Sequence, residues 1–229
     1  MQPIVVVVGL AFEARIAAGP NTTVVCSGDG RNLAGMLERA ITADCRGLLS
    51  FGLAGGLASE LRSGACVVAS EILSPIDRFP ADPDWSRNLL TALPHAVRGS
   101  VLGMAMPVVD PATKEALRRQ TGAHVVDMES HHVALAARAR SLPLAAIRVI
   151  VDPAHRSVPH CALAGIRPDG RTDAAAVLRS LSRHPRELPT LIRTALDART
   201  GRSALLRGRQ LLGPRFGFPD FGELEVDVT

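Results

Sequence analysis

The run Pro3-Ile4-Val5-Val6-Val7-Val8, stopping at Gly9, constrains the fold more than any other segment. Its unbroken succession of β-branched residues leaves no polar face, so it reads as a strand covered on both sides, as in a parallel sheet. Similar segments recur. TTVVCSGDG (22–30) enters a glycine-rich turn, and GLLSF (47–51), ACVVAS (65–70), VRGSVLGM (97–104), AHVV (123–126) and LAAIRVIV (144–151) follow, giving seven predicted strands. Helical periodicity at 31–43, 111–121, 129–141, 172–183 and 186–199 alternates with them and then continues past the last strand. This order predicts an α/β fold of three layers, α/β/α, around a mostly parallel mixed sheet. At 229 residues the chain suffices for one such domain with a well-filled core. The domain is expected over 1–212, followed by a tail, 213–229, with four acids and three of the six phenylalanines. That tail reads either as an arm packing on a partner subunit or as a mobile terminus.

Aromatic residues make up only 3% of the chain and tyrosine is absent, so the core must be built from Ala, Val, Leu and Ile. The four cysteines show no CxxC or Cys/His spacing; no metal site is expected, and three of them read as buried free thiols. No segment has the length and flanks of a signal peptide or a membrane span, which predicts a cytoplasmic protein. Residues 153–215 carry twelve arginines against Asp169, Asp173, Glu187 and Asp197. A solvated helical surface explains them most simply; a surface for anionic lipid heads at the inner face of the membrane comes next. Nucleic acid is the least favoured partner, because no aromatic side chains interleave with the arginines.

The chemistry concentrates in VDMES, residues 126–130, and in Asp152 at the end of LAAIRVIVD. Glu129 opens an Ala-rich helix and Asp152 closes a buried strand. In a parallel α/β sheet the carboxyl ends of the strands gather at one crevice, so both acids would reach one ligand. In SFGLAGGLA, residues 50–58, a strand runs into Gly52, Gly55 and Gly56, where backbone would approach a ligand or simply turn tightly. SGDGRNLAG, residues 27–35, reads as a helix-start turn suited to an anion, or as an ordinary βα turn. Glu13, shortly after the first strand, is either a base at the mouth of the sheet or a first-turn helix acid. His131 and His132 project about 100° apart on a helix, so only one of them is expected to face any given ligand.

Together these segments resemble the nucleoside phosphorylase/nucleosidase superfamily, with its purine nucleoside phosphorylase-like fold. Its adenosine-type nucleosidases, such as methylthioadenosine/S-adenosylhomocysteine nucleosidase, are the clearest match. The family's G-x-AGGL segment is matched by Gly52-Leu53-Ala54-Gly55-Gly56-Leu57 and its Val-Glu-Met-Glu by Val126-Asp127-Met128-Glu129. Its Arg-x-Ile-Ser-Asp strand end is matched by Arg148-Val149-Ile150-Val151-Asp152. Order and spacing agree over roughly 3–152. The resemblance implies that Glu129 accepts hydrogen bonds from ribose hydroxyls while Met128 packs on the sugar. It implies that Asp152 donates a proton to purine N7 as the glycosidic bond breaks. Glu13 would orient the attacking water, although it lies one residue off the family position. Asp127, Gly52, Leu53, Gly55, Val126 and Pro107 would line the substrate pocket.

Departures from the family pattern carry weight. Phosphorylases present an arginine in the first loop, where this chain has Glu13, and Leu53 replaces a hydroxyl residue of the glycine segment. His131 and His132 replace small residues, and Val151 replaces a serine. Hydrolysis is therefore favoured, with phosphate as co-substrate in the phosphorolytic alternative; no organic cofactor or metal is implied. Within the superfamily the likeness extends to the bacterial hopanoid-associated phosphorylase/nucleosidase group, through GLAFEARIA, SFGLAGGLA, VDMES and RPDGRTDAAAVLRSL (167–181). That implies adenosylhopane as substrate, adenine as product, and Leu53, Val108 and Val109 as walls of an apolar exit. The alternatives are a methylthioadenosine/S-adenosylhomocysteine nucleosidase and a non-catalytic nucleoside-binding protein. The family also implies a homo-oligomer.

Overall fold

The computed structural model describes residues 3–28 and 30–219. Its strands are β1 (Ile4–Val8), β2 (Thr22–Cys26), β3 (Leu48–Gly56), β4 (Cys66–Leu73), β5 (Arg78–Pro80), β6 (Val97–Gly103), β7 (Val125–Asp127) and β8 (Leu144–Asp152). The helices are α1 (Ala11–Ala17), α2 (Leu33–Ala40), α3 (Pro83–Ala92), α4 (Pro111–Thr121), α5 (Ser130–Arg140), α6 (His160–Leu163), α7 (Ala174–Arg183) and α8 (Leu188–Leu211).

All eight strands join in one mixed sheet. β1 runs parallel to both β2 and β3, and β3 runs parallel to β8 along its full length. The far end of β3 turns from β1 to an antiparallel pairing with β7, through Gly55 and Gly56. β8 pairs antiparallel with β4, β4 parallel with β6, and β6 parallel with β7. The chain of pairings β3-β8-β4-β6-β7 therefore returns to β3, a closure that nothing in the linear pattern announces.

Alternation along each buried strand feeds two apolar layers. Ile4, Val6, Val8, Leu49, Phe51 and Val68 pack with Ala17 of α1, Trp85 and Leu89 of α3, and Leu205 of α8. Val5, Val7, Leu48, Val67 and Ile72 pack on the other face with Leu33 and Leu37 of α2 and Val133 and Ala137 of α5. These are the three expected layers. A third cluster, including Leu57, Leu102 and Val126, packs against Leu117 of α4. No helix among the described residues is long and apolar enough to cross a membrane.

Several expectations change. The glycine segment is not a turn: β3 continues through Gly56. β5 and α3 are elements that the periodicity did not predict. The Asp82-Pro83 pair marks the start of α3, with Pro83 at the first helical position and Asp82 accepting from the Trp85 amide at 2.8 Å. α8 extends twelve residues past the expected 199 to Leu211.

Residues 213–219, the described beginning of the expected tail, pack into the core. Phe216 is fully buried edge-to-face on Phe51, and Phe218 packs likewise on Trp85. The Trp85 indole donates to the Phe216 carbonyl at 2.8 Å. The tail from 220 onward lies outside the described residues. Truncating a fully buried phenylalanine leaves a cavity the aromatic-poor core cannot refill. Phe216→Ala is expected to lower the unfolding free energy by about 3–5 kcal/mol, read from urea denaturation.

Candidate active site

β1 ends at Val8, and the chain turns at Gly9-Leu10 into α1, which places Glu13 in the first helical turn. Its carboxylate reaches back over the helix start. Oε2 accepts from the Gly9 and Leu10 amides at 2.9 and 2.8 Å, half of a capping box. Oε1 crosses to β3 and accepts from the Leu53 amide at 2.7 Å. A side chain at Gly52 would meet Oε1 at 2.8 Å and Arg148 Nη1 at 2.9 Å, so only glycine lets these groups meet over the strand. Burial raises the Glu13 pKa, against the opposing pull of the three amides and Arg148.

Arg148, midway along β8, is the cation at the centre. Its side chain is almost wholly buried. Nε lies 2.5 Å from Asp127 Oδ2, and Nη2 lies 3.5 Å from Glu129 Oε2. Nη2 also donates to Ser50 Oγ at 2.5 Å and Ser130 Oγ at 3.2 Å. Asp127 is committed as well: it accepts from the Ser130 amide at 3.1 Å and from the Ser130 hydroxyl. Its expected contact with substrate gives way to an inward role, holding Arg148 and the start of α5.

Glu129 stands at the N-cap position of that helix but turns its side chain away from the helix amides. Ser27 Oγ, at the end of β2, donates to Glu129 Oε1 at 3.4 Å. Above Gly9, a hypothetical methyl would sit 2.9 Å from Glu129 Oε1 and 3.6 Å from Glu13 Oε2, so both carboxylates border the same small space. Burial pushes the Glu129 pKa up to about 7; Arg148 opposes the shift, while Asp127 and Glu13 add to it.

Asp152 arrives by a different route. A register shift between Ala54 and Gly55 brings Asp152, and not Val151, opposite Gly55. Gly55 is also paired with Val126 of β7, so β7 and β8 flank it on either side. Asp152 Oδ2 accepts from Lys114 Nζ of α4 at 2.7 Å. Burial raises the Asp152 pKa and Lys114 opposes the rise. A cavity of about 240 Å³ beside Asp152 is lined by His155, Arg156, Arg193 and Asp197 among others.

Other expected residues fall elsewhere. Met128 is half-buried next to Glu129, and Pro107 is exposed on the loop between β6 and α4. Leu53 packs toward α8, where its Cδ2 lies 3.3 Å from the position a side chain on Gly201 would take. Val108 joins the α4 cluster. Leu53 and Val108 therefore do not wall one apolar exit. Gly28 lies against the backbone of Pro168, and the neighbouring Gly170 carbonyl accepts from the Ala11 amide at 2.9 Å, so the 167–170 segment covers this position. The His131 and His132 rings do not diverge but lie 4.0 Å apart, because the imidazoles turn back toward one another from diverging Cβ bonds.

The residues missed from sequence were partners: Arg148, Lys114, Ser27, Ser50 and Ser130. Two signals were available. An arginine inside the apolar run AAIRVIV must find buried acceptors, and Lys114 is the only lysine of the chain.

A model of the phosphorylase superfamily matches residues 4–183. No curated protein sequence matches the chain significantly. Futalosine hydrolase of Helicobacter pylori superposes with a TM-score of 0.61 at 17% identity, covering 80% of this chain and 98% of its own. Streptococcus pneumoniae MTA/SAH nucleosidase in complex with 8-aminoadenine gives 0.62 at 19%, covering 77% and 97%. A Francisella philomiragia protein described as a 5'-methylthioadenosine/S-adenosylhomocysteine nucleosidase gives 0.64 at 16%, covering 93% and 97%. At these identities the likeness is one of fold.

The raised pKa of Glu129 has a thermodynamic consequence. The folded protein holds this proton more tightly than the unfolded chain does. The associated stability is present below about pH 4.5 and is lost as pH rises toward 7. Glu129→Gln is expected to remove a pH-dependent loss of order 3 kcal/mol between pH 4.5 and 7.5, measured by urea denaturation across that range.

Proposed function

The chain belongs to the phosphorylase superfamily, and on that premise we propose that it hydrolyses the N-glycosidic bond of an adenosine-type nucleoside and releases adenine. The observation that carries this reading is the placement of three acids of raised proton affinity along one side of the sheet, after β1, after β7 and at the end of β8. Glu13 and Glu129 border the space above Gly9, and Asp152 stands over Gly55. Gly52, beneath Glu13, and Gly55 are separated by about 10 Å of strand, room for a sugar and a base.

Each acid suits a different task. Glu129, at the opening of α5, accepts hydrogen bonds from the ribose hydroxyls. Asp152, whose burial favours the protonated form, gives its proton to purine N7 as the C1′–N9 bond breaks and its electron pair passes to the base. The ribosyl carbon, left with oxocarbenium character, is attacked by water. Glu13 takes that water's proton, and its raised pKa makes it a stronger base than an exposed carboxylate.

Water is favoured over phosphate because the space above Gly9 is bordered by two carboxylates. The cation beside them, Arg148, is already committed to Asp127, Ser50 and Ser130. A phosphate dianion placed there would be repelled and poorly compensated.

The finer reading is an adenosine whose 5′ substituent is a lipid, adenosylhopane, handled by a protein that touches the inner face of the membrane. Its support is a surface. Leu188, Ile192 and Leu196 stand exposed at four-residue spacing along α8, with Leu178 exposed on α7. Arg179, Arg183, Arg186, Arg193 and Arg199 are exposed on the same two helices and the turn between them. Apolar side chains ringed by arginine suit an anionic lipid surface. A soluble 5′-methylthioadenosine or S-adenosylhomocysteine substrate is the second reading, favoured by the fold shared with nucleosidases of that description.

Adenine release from adenosylhopane, methylthioadenosine and futalosine, with and without phosphate, tests the reaction. Release without phosphate is expected, and Asp152→Asn should slow it by about 10²–10⁴-fold, measured on variant protein whose fold is verified by circular dichroism. Strict phosphate dependence would overturn hydrolysis. Cosedimentation with phosphatidylglycerol vesicles tests the surface. Joint replacement of Leu188, Ile192 and Leu196 by Ser should weaken binding about tenfold or more, and equal binding to neutral phosphatidylcholine vesicles would remove the role given to the arginines.

A further inference from the structure

Lys114 is fully buried on α4, and its ammonium is held by the last residue of β8 and the turn that follows it. Nζ contacts Asp152 Oδ2 at 2.7 Å, the Asp152 carbonyl at 3.0 Å, the Pro153 carbonyl at 3.2 Å and the Arg156 carbonyl at 2.9 Å. Three N–H groups therefore serve four acceptors, all within five residues of chain. A buried ammonium left unpaired is costly, so this is a built arrangement and not a surface pair. It also uses one oxygen of Asp152 and leaves Oδ1 as the oxygen not held by Lys114.

We propose that Lys114 is a positioning residue for Asp152: it fixes the carboxyl over Gly55 and sets how readily that carboxyl releases a proton to the leaving base. The idea rests on the nucleosidase reading above and adds to it a residue which the motifs do not contain. Burial alone would make Asp152 hold its proton too tightly to be an effective acid. A cation at 2.7 Å pulls the balance back toward release. The other charged group facing Asp152 is Asp197 of α8, which acts in the opposite sense and is itself paired with Arg156. His155 and Arg193 line the same cavity. From β3 and β7, the neighbours are Gly55 and Val126, which carry no charge.

The direction of the effect follows. Activity needs protonated Asp152 and falls as pH rises through its pKa. Removing the positive charge raises that pKa, so the alkaline limb of kcat/KM should move up by about 1–3 pH units in Lys114→Met. Its kcat should fall, because the acid has become weaker. Lys114→Arg keeps the charge and should keep the limb near its original pH, even where geometry lowers the rate. If Lys114→Met does not fold, Lys114→Gln, which retains donors to the carbonyls, carries the same expectation. A limb that stays in place in the neutral variants would make Lys114 purely structural and overturn the proposal. The coupling is also measurable without substrate, from the ¹³C carboxyl titration of Asp152, assigned by its loss in Asp152→Asn. An upward move there in Lys114→Met supports the tuning role even if no nucleoside tested is cleaved. No move overturns it, even if adenine release is robust.

Discussion

The guanidinium of Arg148 is the point around which the site is arranged. It sits in a strand paired on both sides, where an uncompensated charge would be prohibitive. Compensation comes from two places distant in sequence: Ser50 on β3, and the junction of β7 with α5, which supplies Asp127 and Ser130. Because each of these is also tied to another, Arg148 fixes where β7 ends and the direction in which α5 leaves it. Glu129 is thereby turned toward Gly9.

One cation among three buried acids leaves an electrostatic surplus. Asp127 takes the closest contact, at 2.5 Å, while Glu129 lies 3.5 Å away. Burial then raises the proton affinity of Glu129 and Glu13. A second ion pair, Lys114 with Asp152, stands apart over Gly55. Burial raises the proton affinity of all three acids, Glu13, Glu129 and Asp152, but only Asp152 has a buried ammonium bonded directly to its carboxylate. That difference in pairing sets the acid over Gly55 apart from the two acids above Gly9.

Much of this was legible from residue type. The valine run of β1 announced a doubly covered strand, and the carboxylates Glu13, Glu129 and Asp152 stood out at strand ends. What escaped were features set by contacts rather than by local pattern. Gly52, Gly55 and Gly56 read as a turn because glycine is common in turns. Here Gly52 and Gly55 instead make room for Glu13 and Asp152 to reach across β3. His131 and His132 diverge by helical geometry, yet their rings meet, because rotamers and not Cβ directions decide where an imidazole ends. Phe216 and Phe218 read as part of a tail, but in a chain with so few aromatic residues they complete the core beneath Trp85.

The sequence by itself determined the layered α/β architecture, since runs without a polar face have no stable place except inside a covered sheet. It also determined which acids were available for chemistry. Tertiary structure alone decided how those acids are used. Whether a carboxylate is paired, shared or left to take up a proton depends on what lies within a few ångströms of it. Arg148 lies 21 residues from Asp127, and Lys114 lies 38 residues from Asp152. Only the closure of β7 onto β3 and the packing of α4 against the end of β8 bring those partners together.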